Sequence, residues 1–489
     1  MRFFKSILLI GFVISLVTSC KKEFEGDALK LDAPETFLAV DSIYRSGNTR
    51  YTTTIEAHWW AVPTTGYIKG YEVSIDNQQT WSYTNKQSGT FLLTLPVGAD
   101  TANIKFFVRA IDSRGMVDPT PASVSYPVRN SAPTIQFDFS SGQKSVSFPA
   151  FRYNWNFNDV DGAQDINTIE VALNDTVNHL VQLPATVTGS TFVAERVSQT
   201  FTGNYILYNN TQTTPYSQKL SGALFNDTNT VYIRCVDRSG SKSAWVNAKI
   251  FIRQPKSGLL YINDYVSNKS IVTNFYSNRI NALGASYANF DVVKVFLDEF
   301  PSDAFTTTKT FEFFDRILWT TDDPTRSLGT AQTATIPFFN KGGKIFMVLE
   351  VPNDVALDAN FFNFTPIEKL VDNPGRTFRM ATGDLLTPYN ANWPTLKATG
   401  IITYPRPFYT YTSSSGLYSY DSLASAQLKS FGSGNPVAWV GPSNVMAKRN
   451  NTQTGKTDFV TLTVPLHLMN GNNNVDSFFN KVVISELQF

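Results

Sequence analysis

Two hydrophobic patterns divide the chain. From residue 33 to about residue 253, apolar and polar residues alternate in short runs separated by turn residues, as at 70–76 and 104–112. Alternation with a period of two is typical of strands that bury one face. From residue 258 onward, the runs are continuously apolar, as at 259–262 and 345–349, and helical stretches separate them. Strands buried on both faces that alternate with helices predict a mostly parallel sheet.

The sequence therefore predicts a multidomain protein, in keeping with a length of 489 residues. Two all-β sandwiches at 33–130 and 131–254 precede a three-layer α/β domain with a mostly parallel sheet at 258–489. The segment around 372–436 fits this pattern poorly and is predicted to be an insertion with its own β structure. In the α/β domain, the apolar run at 259–262 is predicted to be the first strand. Further strands are predicted at 290–297, 316–321, 342–350 and 459–467, and helices at 274–283, 310–315, 328–340 and 475–487.

An internal repeat supports the tandem sandwiches. Residues 232–240 echo residues 107–115, since both contain apolar residues around an Arg, then an Asp, and a Gly three residues later. Arg234 follows Arg109 by 125 residues (234 − 109), a period typical of tandem domains rather than of a solenoid. Both runs are predicted to be late strands of their sandwiches.

Both sandwiches resemble fibronectin type III domains of the immunoglobulin-like class. The first has tryptophan on an early strand at 55–60, a Gly-Tyr-x-Val strand at 70–73, and the late strand and turn at 106–115. The second has its early tryptophan strand at 153–157. Phe106 stands where the family usually has Tyr, so the resemblance implies a sandwich that keeps aromatic burial and lacks the tyrosine-corner hydrogen bond.

The third region resembles the class I glutamine amidotransferase-like (flavodoxin-like) fold. Residues 318–322, 341–344 and 464–467 carry the resemblance. That family needs a cysteine on a tight turn after its central strand, activated by a histidine and an acid. Here Glu350 occupies the place after the strand, and the region contains no cysteine. The resemblance therefore implies the fold without the family's chemistry.

The N-terminus resembles a bacterial lipoprotein signal. A basic start, an apolar run at 7–17 that is short for a membrane span, and small residues precede Cys20. This pattern predicts a signal peptide at 1–19, a lipidated Cys20 and a tether at 20–32. Residues 21–27 resemble the surface-export signal of Bacteroidetes lipoproteins. We therefore expect a lipid-anchored protein of the outer membrane, exposed at the cell surface.

The composition of the chain bears on which partners and cofactors are expected. The formal net charge is +1, and no long block of like charge suggests a nucleic-acid partner. With Cys20 lipidated, the second cysteine, Cys235, has no disulfide partner and is predicted to be a buried, inert thiol. Three histidines are too few and too scattered for a zinc site, and no cofactor is predicted except a candidate calcium ion.

The calcium candidate is an acidic loop. Asp159, Asp161 and Asp165 place carboxylates on alternate positions around Gly162, as calcium loops do. The alternative is an Asp-Gly hairpin turn of the second sandwich.

Further polar residues follow the apolar strands of the third region. Asp264, Asp322, Asp323 and Glu350 come at strand ends, and His467 is the one histidine of this region. Ligands bind at the C-terminal ends of strands in open α/β sheets, so the five residues form a candidate cleft. The alternatives are a helix cap at the Asp pair and a structural His467.

The sequence leaves two functions open. The first is non-catalytic binding or scaffolding, with a glycan or a surface protein as partner. Aromatic-dense segments at 404–411 and 418–420 favour a glycan, unless they pack against each other. The second is a divergent hydrolase that uses Asp264, Asp322 and Glu350. Carboxylates converging in an open cleft would favour the hydrolase, and a filled cleft would favour binding. Membership of a larger surface assembly is a further alternative.

Overall fold

The structure is a computed structural model. It describes residues 32–45, 52–95, 101–140, 144–160, 162–209, 214–295, 300–352, 355, 357, 359–412 and 416–489. No helix within these ranges is long and apolar enough to cross a membrane. Contacts divide the chain into two compact units. Unit 1 comprises residues 1–131 with 160–165 and 238–241, and unit 2 comprises the remainder, from Ala132 to Phe489.

Unit 1 contains a seven-stranded sandwich. Its strands are β1 Glu35–Arg45, β2 Thr52–Val62, β3 Ile68–Ser74, β4 Ser82–Thr84, β5 Ser88–Thr94, β6 Thr101–Asp112 and β7 Ala122–Arg129. One antiparallel sheet has the order β1-β2-β5 and the other has the order β4-β3-β6-β7. This is the pairing of a fibronectin type III-like sandwich, so the predicted class of the domain is confirmed.

Trp59 is the centre of this sandwich. Its ring is 1% exposed and packs against Tyr71, Phe91 and Phe106 at centroid distances of 6.3, 6.0 and 6.2 Å. The indole N–H donates to the carbonyl oxygen of Lys86 at 3.0 Å, which satisfies the buried donor. Phe106 is fully buried, so aromatic packing is retained at the position where the resembled family has tyrosine.

The second sandwich has ten strands. They are β8 Thr134–Asp138, β9 Val146–Ser147, β10 Ala150–Asn158, β11 Ile166–Leu173, β12 Asp175–Pro184, β13 Gly189–Val197, β14 Thr200–Tyr208, β15 Pro215–Ser221, β16 Asp227–Asp237 and β17 Val246–Ile252, with a 3₁₀ turn at Ala163–Asp165. The sheet orders are β15-β14-β13-β10-β8 and β12-β11-β16-β17-β9. Strands β13 to β15 contribute three of the five strands of the first of these sheets. Trp155 is fully buried, and its N–H donates to the carbonyl oxygen of Val187 at 2.7 Å.

The repeated arginine has the same role in both sandwiches. Arg109 on β6 pairs with Glu72 at 2.7 Å, and its guanidinium lies 3.9 Å from the centroid of Trp81. Arg234 on β16 pairs with Glu170 at 2.5 Å and lies 4.3 Å from the centroid of a tryptophan ring. In each case, a charge near the sheet surface is neutralised by the neighbouring strand and is covered by an aromatic ring.

The third domain combines parallel strands, helices and antiparallel strands. Its elements are β18 Leu259–Asp264, α1 Lys269–Ala282, β19 Asp291–Lys294, α2 Ala304–Phe311, β20 Arg316–Thr321, α3 Pro324–Ser327, a 3₁₀ turn Leu328–Thr330, α4 Ala331–Asn340, β21 Lys344–Leu349, α5 Ala359–Phe364, β22 Ile367–Leu370, β23 Thr377–Arg379, β24 Leu385–Pro388, β25 Leu396–Lys397, β26 Phe408–Thr410, β27 Tyr418–Ala426, β28 Lys429–Phe431, β29 Val437–Ala438, β30 Asn444–Asn451, β31 Lys456–Leu462, a 3₁₀ turn Leu466–Leu468 and α6 Val475–Asn480, which continues as a π-helical turn Lys481–Glu486.

The central sheet is mixed rather than mostly parallel. Its order is β19-β18-β20-β21-β31-β30-β27-β24-β25. The pairs from β19 to β31 are parallel, and the pairs from β31 to β25 are antiparallel. The prediction is therefore correct for the first half of the sheet and wrong for the second half. Three strands of the segment predicted to be an insertion, β24, β25 and β27, extend this sheet. Its other strands, β23, β26 and β28, lie in the small sheets β22-β26 and β23-β28-β29, in which β22 and β29 come from just outside the predicted insertion.

Helices cover both faces of the parallel half, which gives three layers. Tyr261 on β18 faces α1 and contacts Tyr276 at 5.8 Å between ring centroids. Trp319 on β20 faces the opposite side and contacts Phe311 of α2 at 6.0 Å. All four rings are fully buried. Successive residues of these strands enter different cores, which explains why the runs are apolar throughout.

One predicted helix is displaced. Residues 310–315 were predicted to be helical, whereas α2 begins at Ala304, after the capping residue Asp303. The Asp303 carboxylate accepts the backbone N–H of Thr306 at 2.9 Å. Because a threonine-rich segment has low helix propensity, the cap and tertiary packing decide where this helix forms.

The second sandwich and the third domain share a core within unit 2. Phe148, which is 2% exposed, belongs to the core beneath α2 and α4. Three aromatic pairs join the two domains, with centroid distances of 5.0, 5.6 and 5.0 Å: Phe148–Phe314, Phe201–Phe313 and Tyr208–Phe305. This burial makes the two domains one compact body.

We expect Phe148→Ala to lower the free energy of unfolding of the full chain by about 3 kcal/mol, because it opens a cavity in the shared core. Urea denaturation followed by tryptophan fluorescence measures the change. Val177→Ala is the control, since Val177 is 81% exposed and its change should stay below about 0.5 kcal/mol. Equal effects of the two substitutions would contradict the shared core.

Candidate functional site

The predicted cleft residues converge at one edge of the central sheet. Asp264 ends β18, Asp322 and Asp323 follow β20, and Glu350 follows β21. These strands are parallel neighbours, so their C-terminal ends meet. The hydroxyl of Thr321 donates to Asp264 at 3.1 Å and links two of these strand ends. The structure therefore brings the strand ends that carry Asp264, Asp322, Asp323 and Glu350 to one edge of the sheet.

Arg326, which the sequence reasoning missed, lies among these carboxylates. Its Nε lies 3.2 Å from Asp264 Oδ1, its Nη2 lies 2.5 Å from Asp322 Oδ1, and its Nη1 lies 3.5 Å from Asp323 Oδ2. It also donates to the backbone carbonyl of Asp264. Asp264 is 1% exposed, and a buried carboxylate requires such a partner. The spacing of four residues from Asp322 to Arg326 on a helical turn was the available sequence signal.

The other two aspartates stabilise local backbone. Asp323 caps α3, because its carboxylate accepts the N–H of Thr325 at 2.9 Å. Asp322 accepts the backbone N–H of Val266 at 3.1 Å and that of Ser267 at 2.9 Å. The structure thus supports the helix-cap alternative for Asp323 and gives Asp322 a comparable role in the turn after β18.

Glu350 and His467 flank the ring of Tyr265. Burial raises the pKa of Glu350 to about 7, and the nearby Tyr265 hydroxyl partly offsets this by lowering it. Burial lowers the pKa of His467 to about 4. The His467 ring lies edge-on to Tyr265 at 5.6 Å and to Phe275 at 6.1 Å, and its Nδ1 is buried without a hydrogen-bond partner in the described part of the chain. Such surroundings fit the structural alternative for His467.

The carboxyl groups at this edge of the sheet are mostly shielded from solvent or paired within the protein. Asp264 is buried against Arg326, and burial raises the pKa of Glu350 to about 7, which favours its uncharged form. A pKa near 7 is suited to a general acid or base, so Glu350 is a candidate for that role. A nucleophile would have to come from carboxylates that already bind an arginine or backbone N–H groups.

The predicted lipidation site and part of the predicted calcium site lie outside the described residues. These residues are Cys20 and Asp161, so both predictions remain predictions. Asp159 is 5% exposed and Asp165 is 2% exposed. Within the described ranges, no group of three His, Cys, Asp or Glu side chains is placed to hold a metal ion. Cys235 is fully buried, and burial raises the pKa of its thiol, consistent with an inert cysteine.

The aromatic segments of the third domain are partly buried and partly exposed. Phe408 is fully buried, whereas Tyr404 and Tyr409 are each 40% exposed. Tyr411 and Tyr420 contact each other at 5.0 Å between ring centroids. Both sequence alternatives therefore hold in part, because some rings pack within the domain and others face solvent.

A second exposed aromatic group lies on the first sandwich. Trp60 on β2 is 43% exposed and Phe37 on β1 is 38% exposed. Their rings stack at 5.6 Å with 14° between planes, and His58 stacks on the same tryptophan at 5.6 Å and 20°. His58 also lies 2.5 Å from Asp41. The sequence feature that could have predicted this exposed group is the pair of adjacent tryptophans at 59 and 60. Successive side chains of a strand point to opposite faces of the sheet, so one tryptophan is buried and the other is exposed.

Comparisons with known proteins found fibronectin type III modules among the solved structures. No protein family and no curated protein matches the chain. Among solved structures, the chain is similar to the fibronectin(III)-like modules of Clostridium thermocellum CbhA, with 15% identity over 45% of this chain and 95% of that chain and a TM-score of 0.18. It is also similar to a two-domain fibronectin type III segment of chicken tenascin, with 12% identity over 45% and 99% and a TM-score of 0.18. Scores this low support no inference about function.

We expect Glu350→Gln to change the pH dependence of stability. In the folded protein the pKa of Glu350 is raised to about 7 from its ordinary value of 4.5. Its stabilising contribution is therefore complete below pH ~4.5 and is lost as pH rises through about 7. The variant should gain stability relative to wild type by on the order of 3 kcal/mol between pH 4 and pH 8. The contribution of His467 cancels because both proteins contain it. Urea denaturation at several pH values measures this difference, and a constant difference would contradict the buried carboxyl.

Proposed function

We propose that the protein is a lipid-anchored envelope protein that binds extracellular glycans without catalysing their cleavage. The observation that carries the glycan proposal is the exposed stack of Trp60, Phe37 and His58 on the first sandwich. Large aromatic rings held in solvent mark interaction surfaces, and flat rings offer an apolar face to the C–H groups of a sugar.

Polar groups border these rings on the same sheet. His58 pairs with Asp41 at 2.5 Å, and the Ser42 hydroxyl donates to Glu56 at 2.9 Å. The strand register places Ser88 opposite His58. We call the outward side chains of Phe37, His58 and Trp60, with these neighbours, the aromatic face. It combines apolar rings with charged and neutral hydrogen-bonding groups, which is the combination that sugar hydroxyls and ring faces require.

The anchoring part of the proposal rests on the N-terminal sequence. A basic start, a short apolar run and small residues before Cys20 support lipidation there. The sequence after the cysteine supports export to the outer surface of the outer membrane. An acylated cysteine would keep the glycan-binding domains at the cell envelope.

A divergent hydrolase is the second candidate, favoured by the pKa of Glu350 near 7. The pairing of Asp264 and Asp322 with Arg326 weighs against it, because these carboxylates would have to leave their ion pairs to reach a substrate.

Cys20→Ser tests the anchor. We expect wild-type protein expressed in a bacterial host to incorporate a labelled fatty acid and to sediment with membranes, because acyl chains attach to the cysteine thiol and amine. The variant should remain unlabelled. Cys235→Ser is the matched control and should be labelled as wild type is. Labelling that survives Cys20→Ser would rule out this anchor.

Trp60→Ala tests the aromatic face. We expect wild type to be retarded in gels containing a neutral polysaccharide and the variant to bind at least about tenfold more weakly, as expected for a central aromatic contact. Tyr67→Ala is the control, since Tyr67 is an exposed aromatic residue outside the face. Absence of retardation by every polysaccharide would contradict glycan binding. Release of reducing ends that Glu350→Gln abolishes would favour the hydrolase.

A further inference from the structure

An arginine-lined cleft opens on the antiparallel part of the third domain. Its volume is about 730 Å³, within the range of small-molecule sites. The loop at 372–377 forms one wall, and the turn at 431–433 after β28 forms another. We call it the arginine cleft. Its charged residues are Asp372, Arg376, Arg379 and Arg406, so the lining carries a formal charge of +2 (three Arg minus one Asp).

Arg376 is held in a fixed orientation. Its Nε donates to the Ser430 hydroxyl at 2.7 Å and its Nη2 donates to the Ser430 carbonyl at 3.0 Å. The same hydroxyl donates to Asn373 Oδ1 at 3.1 Å, which braces the loop. A Cβ on Gly432 would lie only 3.1 Å from Arg376 Cγ, so a glycine leaves room for this side chain. A guanidinium fixed in this way loses little entropy when it binds a ligand.

Arg379 retains an unused donor. Its guanidinium lies 3.5 Å from the centroid of the Phe431 ring. Its Nε is buried and has no hydrogen-bond partner among the described residues. A buried donor left without an acceptor destabilises the protein, and an anion in the cleft would supply one. Arg406, which is 9% exposed, adds a third guanidinium to the lining of the same cleft.

We propose that the arginine cleft binds the acidic group of a saccharide, either a carboxylate or a sulfate. Guanidinium groups bind both through paired N–H donors, and Phe431 supplies an apolar wall for the sugar ring. The volume exceeds what an inorganic anion fills, which favours an acid attached to a larger molecule. The saccharide part of this proposal rests on the proposed glycan binding, whereas the anion site rests on the arginines alone.

Titration calorimetry of the full-length protein tests the proposal with four probes: trigalacturonate, a sulfated heparin disaccharide, neutral maltotriose and sodium sulfate. We expect an acidic saccharide to bind, to bind more weakly at higher salt, and to exceed both maltotriose and inorganic sulfate in affinity. Preference for trigalacturonate or for the heparin disaccharide identifies the acid as a carboxylate or a sulfate. Arg379→Gln should weaken this binding by about tenfold or more.

Two further variants separate a lost site from a lost fold. Ser433→Glu adds a negative charge at the exposed rim and should also abolish binding while leaving the thermal midpoint unchanged. Arg109→Gln removes an arginine that lies on an aromatic ring of the first sandwich, and it should bind as wild type does.

Three results would overturn the proposal: no binding of either acidic saccharide, binding that survives both Arg379→Gln and Ser433→Glu, or equal affinity for sodium sulfate and the acidic saccharides. Retardation by a neutral polysaccharide that depends on Trp60 would persist in the first case. It would show that the cleft proposal had failed while the proposed function stood.

Discussion

The aromatic core shared by the second sandwich and the third domain is the contact on which unit 2 depends. Helix α2 has only eight residues and would be marginal alone, but it is packed from two sides. Its Phe311 contacts Trp319 of the central sheet at 6.0 Å, and its Phe305 contacts Tyr208 of the sandwich at 5.0 Å. Arg196 of the sandwich donates to a carbonyl just after the helix at 3.2 Å. The second sandwich therefore packs against the outer side of α2 and helps to hold this helix on the central sheet of the third domain.

The C-terminal edge of the parallel strands shows three ways of burying polar groups. Asp264 is buried in an ion pair with Arg326. For Glu350, burial favours the protonated form and raises the pKa of its carboxyl. His467 is buried between aromatic rings, and burial favours its neutral form. The opposite pKa shifts of the last two groups have the same cause, since a low dielectric disfavours charge of either sign. This common cause is our reason for preferring a structural role for the edge.

The sequence predicted what depends on local pattern and missed what depends on distant pairing. Apolar runs located β18, β20 and β21, and parallel topology then placed Asp264 and Glu350 at one edge. The segment around 372–436 is predicted to have its own β structure, but pattern cannot say which strand is the neighbour of another, so the place of β27 in the central sheet was missed. The arginine cleft was missed for a similar reason. Arg376 and Phe431 are far apart in sequence, and only the pairing of β23 with β28 brings their segments together.

The aromatic face and the arginine cleft lie in different compact units. This separation favours a long, repeating ligand over a small one for the proposed glycan binding. Each surface is small, and Trp60 and Arg379 would each contribute to a separate weak contact. A small ligand could use one surface at a time. A repeating polysaccharide presents the same sugar many times, so occupation of one surface raises the effective concentration of repeats near the other wherever the polymer can reach both. Two modest sites on one chain can then retain a polymer more tightly than either site would alone.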